Sequence, residues 1–177
     1  MTAAVNRAAA PVQGSMMREE RSRVVKYTDP SLDRVRPYKY DELTDMKRGI
    51  RLLRLLASGL ENPILDCELL EAEFDSEYIP KKVIRFPDST IKRTDEVIEY
   101  QALSWRWGTD DADYAVRIRS PDGEQFKMKA KKELALALKH LRRPYKDRII
   151  WSDAICIDQE NHLERNHQVQ MMAMICR

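Results

Sequence analysis

The chain has 177 residues, enough for one globular domain with tails and too few for two full domains. With 31 Lys and Arg against 29 Asp and Glu the net charge is +2, so the overall balance calls for neither nucleic acid nor an anionic membrane as partner. Hydrophobic residues at 43% supply a real core and argue against wholesale disorder, while five scattered glycines exclude a Walker loop or a dinucleotide fingerprint.

Residues 1–37 read as a disordered or extended N-terminal tail, and residues 38–177 as the folded domain. The Ala-rich start is broken by Asn6 and Arg7 and lacks the apolar block of a secretory signal; the absence of acids before Glu19 leaves a mitochondrial presequence as the alternative to a plain tail. The stretch from Tyr27 to Tyr40, punctuated by Pro30 and Pro37, suits an extended lead-in that wraps the domain. Ile50–Leu56 (IRLLRLL) and Ile64–Phe74 are strand candidates, with helix an alternative for the first. Glu77–Glu96, charged and carrying Pro80 and Pro87, reads as an excursion or long loop. Glu96–Trp107 has strand-like apolar density up to Gly108 and is followed by the acidic run Thr109–Asp113.

Tyr114–Ser120 and Glu124–Lys129 flank Pro121-Asp122-Gly123, where proline presets φ and Gly123 supplies the positive φ of a bulged hairpin. Leu134, Leu138 and Leu141 recur at helical spacing between Lys131 and Arg142, ahead of Pro144. The pairs Lys131-Lys132 and Arg142-Arg143 read as its solvated ends. Arg148–Asp158 (RIIWSDAICID) is expected to be a buried strand covered on both faces. Asn161 and Glu164 have capping-box spacing and open a helix that places Val169, Met172 and Cys176 on one face. The alternating order predicts an α/β fold, a mixed sheet with flanking helices and a hairpin. Ligands would then gather beyond the carboxyl ends of strands, at Trp105–Asp113 and Asp153–Gln159.

Three blocks, together with a helix holding Leu134-x-x-x-Leu138, carry a resemblance. Tyr100-Gln-Ala-Leu-Ser-Trp-Arg-Trp-Gly108, Trp151-Ser-Asp-Ala-Ile-Cys-Ile-Asp-Gln159 and Glu164-Arg165-x-x-Gln168-Val-x-x-Met172 resemble, in order and spacing, the fungal heterokaryon-incompatibility (HET) domain. The likeness extends from about Tyr38 to the end and includes IRLLRLL. Departures are Trp105 where the family usually has tyrosine and Asp158 where it usually has asparagine. The family's second helix usually runs on into a further apolar strand, so the last strand is expected to be missing and the domain to be C-terminally truncated. The resemblance implies a cytoplasmic role in non-self recognition that triggers growth arrest or cell death. HET domains are in turn similar to TIR domains, some of which cleave NAD and others of which assemble as adaptors. By that likeness no cofactor is implied beyond NAD as a substrate. The implied partners are an NAD-like molecule, a second copy of the chain or a signalling protein, with neither nucleic acid nor membrane.

Glu164 is the candidate catalytic residue. In the first turn of a helix its carboxylate would hold a ribose hydroxyl and stabilise the oxocarbenium-like charge of N-glycosidic cleavage; the structural alternative is a cap on the N–H of Asn161. Asp153 interrupts an apolar run and needs a partner, Arg165 or Arg106, unless it meets a ligand. Ser104, Trp105 and Trp107 would form a shelf for a nicotinamide or adenine ring, or else pack in the core, and Arg106 would neutralise a pyrophosphate or pair at the surface. Asp158, Gln159 and Arg165 complete the candidate ligand set. Cys156 with His162 and His167 raises a thiol nucleophile, against a buried apolar filler, and no metal site is expected. Asp110, Asp111 and Asp113 read as a solvated turn rather than a Mg²⁺ site. The three cysteines have no disulfide-framework spacing, which suits a reducing compartment.

Overall fold

A computed structural model describes residues 30–59, 61–86, 88, 90–104 and 114–176. Among them, eight strands form one mixed sheet: β1 (Gly49–Leu55), β2 (Asp66–Phe74), β3 (Pro80–Arg85), β4 (Ile91–Val97), β5 (Gln101–Ala102), β6 (Tyr114–Arg119), β7 (Gln125–Ala130) and β8 (Arg148–Trp151). Three α-helices accompany them, α1 (Lys132–Leu141), the single turn α2 (Asp153–Cys156) and α3 (His162–Ile175), and a short 3₁₀ helix at Pro30–Arg34 lies in the lead-in expected to be extended. The α/β class expected from the alternating pattern is the one observed.

The sheet is organised around β1, which pairs antiparallel with β2 on one side and β8 on the other. Ile50, Leu52, Leu53 and Leu55 are all at most 1% exposed, so both faces of β1 are covered, as its unalternating apolar text requires. Burying each such side chain is worth roughly 1.5–3 kcal/mol. Truncating Leu53 to Ala would cost about 2–5 kcal/mol, because the surrounding side chains cannot close the cavity.

The path β4-β3-β2-β1-β8-β5 puts β3 and β5 four strand spacings apart, about 19 Å in a flat sheet. Yet the Ile98 N–H still donates to Pro80 O on β3, and β5 begins three residues later, within roughly 11 Å of chain. The sheet is therefore strongly curled. Its mixed character comes from two parallel contacts, β5 with β8 and β2 with β6.

The β6–β7 hairpin matches its sequence signal, with Gly123 at φ +88° in the turn. Helix α1 buries Leu134, Ala135 and Leu138 and packs against β6. Arg142 is not a solvated helix end. It is 3% exposed and donates to Gly59 O, Asn62 O and Ile64 O, tying the 59–64 loop to the end of α1. The lead-in also docks: Leu32 is buried, and Tyr38 N–H donates to Lys127 O on β7 while Lys127 N–H donates to Arg36 O.

Three expectations need correction. Glu77–Glu96 is not a loop but holds β3 and most of β4, an antiparallel ribbon whose outer strand is wet on both faces and so carries no apolar alternation to read. Pro80 stands at the first position of β3, where a missing N–H is tolerated. Glu96–Trp107 is not one strand, since β4 ends at Val97 and β5 covers only Gln101–Ala102 within the described residues. The strand expected over Arg148–Asp158 ends at Trp151, and Ser152 stands as the N-cap residue of the turn α2.

Candidate functional site

The corner where β8 leads through α2 into α3 gathers most of the predicted site. Beside it, β5 and β8 end in the same direction, in register Gln101 with Ile150 and Ala102 with Trp151, and Leu103 N–H donates to Trp151 O at 2.8 Å. Ser104 therefore follows β5 next to the point where Ser152 and Asp153 follow β8, and it is exposed. Trp105, Arg106 and Trp107, with Asp110, Asp111 and Asp113, lie outside the described residues.

Asp153 opens α2, its Oδ1 accepting from Ala154 N–H at 2.8 Å, while the Gln159 amide donates back to Asp153 O at 2.7 Å. Asp158 bends the loop ahead of α3: its Oδ1 accepts from Glu160 N–H and its carbonyl from Asn161 N–H. Arg165 lies against His162 Nδ1 at 3.0 Å, on the surface of α3. These residues share one corner, and their visible hydrogen bonds shape its turns.

Half of the expected capping box is present, since Asn161 Oδ1 accepts from Glu164 N–H at 3.1 Å. The Glu164 carboxylate goes elsewhere. It is 1% exposed, its Oε1 accepts from Asp158 N–H at 2.8 Å, and both oxygens take a two-pronged pair from Arg51 Nη1 and Nη2, the Nη2 bond at 3.0 Å. Arg51, on β1, also donates to Asp41 O at 2.5 Å and stacks under the Tyr40 ring at 4.9 Å, while Tyr40 Oη donates to Ile155 O at 2.8 Å. Burial holds the Tyr40 phenol well above its usual range. A carboxylate has about four lone-pair directions, and three are filled here inside the protein. To touch a ligand, Glu164 would have to part from Arg51.

The sequence reading missed Arg51, Tyr40 and Gln168. An arginine set among Ile50, Leu52 and Leu53 was the available signal, because a charge in such an apolar run requires a buried partner. Gln168, 0% exposed, donates from Nε2 to Gly49 O at 2.7 Å, so α3 is pinned to β1 at two successive turns by polar groups. Hence the buried face of α3 is Glu164, Gln168, Met171 and Ile175. The face expected from Val169, Met172 and Cys176 is instead exposed, and of the stretch Met171–Cys176 only Met171 and Ile175 are buried.

Cys156 is no nucleophile. It is 1% exposed, sits with Sγ at 3.9 Å from Ile150 O, and burial pushes its thiol up to about 12. Among the described residues no three His, Cys, Asp or Glu side chains cluster as a metal would require, and no helix is long and apolar enough to cross a membrane. An open groove of about 510 Å³ lies between α3 and the β2–β3 turn, lined by Lys47, Tyr78, His167, Gln170, Met171, Ala173 and Met174. Of the residues weighed as candidates in the sequence, only His167 lines it.

Residues 100–177 match the family model described as Heterokaryon incompatibility protein (HET). This segment belongs to the heterokaryon-incompatibility family. The HET segment thus spans β5 to α3 and includes the whole β8–α2–α3 corner, whereas Arg51, which neutralises its buried carboxylate, comes from outside the matched residues. No curated protein and no solved structure matches the chain. A heterokaryon-incompatibility-related role follows from the HET segment.

Proposed function

We propose that this protein acts in fungal non-self recognition, in the cytoplasm, as a HET signalling module that brings about growth arrest or cell death by contact with a partner chain, without turnover at Glu164. The observation behind this reading is the state of that carboxylate, which is 1% exposed and held by Arg51 and Asp158 N–H. A group that must stabilise a developing sugar cation has to face the ligand with a free lone pair. Releasing Glu164 would leave Arg51 buried and unpaired, at a cost of several kcal/mol.

A second reading, NAD cleavage of the TIR kind, is favoured by one observation. The parallel ends of β5 and β8 bring Ser104 beside the corner that holds Asp153, Asp158 and Gln159, at the carboxyl edge where α/β folds receive ligands. In that reading Trp105, Arg106, Trp107 and Arg165 would close round the dinucleotide.

Incubating the purified chain with NAD and measuring nicotinamide release separates the two, with a parallel assay of growth after expression in a fungal host. Growth arrest without release is the expected result. Release that disappears in a folded Asp153→Asn variant would favour the catalytic reading instead.

A further inference from the structure

The outer edge of the sheet carries charges of opposite sign placed symmetrically about its centre. Strand β4 is Ile91-Lys-Arg-Thr-Asp-Glu-Val97, exposed at every position except Thr94, and among the described residues it pairs with β3 alone. Laid antiparallel on itself about Thr94, it sets Lys92 against Glu96, Arg93 against Asp95, Ile91 against Val97 and Thr94 against Thr94. Each cation meets an anion, and the apolar ends meet each other. We propose that β4 is a homotypic docking edge, to which a second copy of this chain adds antiparallel across a two-fold axis through Thr94.

The local structure supports this occupant over others. Lys92 and Asp95 have no ion-pair partner among the described residues, so each gains one only across the two-fold. Arg93 already grips Glu73 at 2.6 Å yet keeps 57% of its side chain exposed, and Glu96, paired with Lys82 at 3.0 Å, keeps 60%. Both can therefore be shared with the second copy. Ile91 at 37% and Val97 at 49% exposure supply the apolar contacts at the ends.

The register with β3 shifts between Lys81 and Val83, so three residues of β4 face Lys82. Two extra residues preserve the alternation, and Arg93 and Val97 remain on one face. A bulge and a row of charges ordinarily blunt an edge against pairing with any strand that arrives. Here opposite signs are placed symmetrically about Thr94, so the same charges that repel an unmatched edge fit this one. The bulge shortens the ladder, which makes the charge pairs decisive and the dimer reversible.

The inference deepens the non-enzymatic reading by naming a partner, and its test reads solution state alone, so its failure is distinct from the outcome of the NAD and growth assays. Sedimentation of the full chain over a concentration series should show a monomer–dimer equilibrium that weakens with salt. Lys92→Glu and Glu96→Lys should each place like charges across the two-fold and weaken association about tenfold; melting should be unchanged for Lys92→Glu and only slightly lowered for Glu96→Lys, which loses the solvent-exposed pair with Lys82. Mixing the two variants should restore association as a heterodimer, and the double swap Lys92→Glu/Glu96→Lys should restore it within one chain. A wild-type chain that stays monomeric at several hundred micromolar overturns the proposal. So does a dimer indifferent to both variants, or one that neither the mixture nor the double swap restores.

Discussion

Arg51 and Glu164, 113 residues apart in the chain, close a two-pronged ion pair beneath the ring of Tyr40 and so join the central strand to the first turn of α3. The pair is buried on both sides, at 6% and 1% side-chain exposure, and its worth lies in the penalty for breaking it. Glu164→Gln should therefore cost about 3–5 kcal/mol, several times the loss expected if the side chain only capped a helix. In urea melts the double variant Arg51→Met/Glu164→Leu should recover most of that loss, since neither charge then remains buried alone. A cost near 0.5 kcal/mol for Glu164→Gln would show that the carboxylate serves only as a cap.

The three thiols should divide into one reactive and two inert groups. Cys67 and Cys156 are buried, and desolvation raises both thiols far above the range in which a thiolate forms near neutral pH, whereas Cys176 is exposed. Ellman's reagent at pH 8 should label one thiol per chain rapidly in native buffer and three in denaturant. Rapid native labelling of Cys156 would contradict its packing under β8.

Alkaline titration should weaken the fold in a defined window. Burial raises the phenols of Tyr38 and Tyr40, and burial followed by the nearby Cys176 pushes Tyr100 up to about 12. An unfolded tyrosine ionises near pH ~10, so the folded state binds more protons above that point. Stability is thus complete below about pH 10 and declines as pH rises towards the folded values. Phenolate absorbance should lag behind that of the denatured chain, and Tyr100→Phe should flatten the decline by losing only the bond to Ile175 O.

Among the described residues, two turns hold residues on the left-handed side of φ, one suited to it and one not. A methyl added to Gly123, at φ +88°, would meet only open space, so Gly123→Ala should cost about 1–2 kcal/mol from backbone strain alone. Tyr78, at φ 60° in the β2–β3 turn, already bears that strain with a ring 63% exposed. Tyr78→Gly should leave stability unchanged or raise it by up to about 1 kcal/mol. A clear drop in melting temperature would mean that the ring packs against the groove beside His167 more tightly than its exposure indicates.

The sequence by itself determined the elements whose cause is local. The β6–β7 hairpin follows from Pro121-Asp122-Gly123 between alternating strands, α1 from leucines at helical spacing ahead of Pro144, and the start of α3 from the Asn161 side chain that caps Glu164 N–H. The HET family was legible for the same reason, because its blocks are runs of neighbouring residues. Tertiary structure decided what depends on distant partners. The periodicity of α3 pointed to Val169, Met172 and Cys176 as its inner face, but the helix turns Glu164 and Gln168 inward instead, since Arg51 and Gly49 O on β1 offer them the charge and hydrogen bonds that offset the penalty of polar burial. The wet edge ribbon β3–β4 escaped notice because strands without a buried face carry no apolar signature, and it took shape only through backbone pairing with β2.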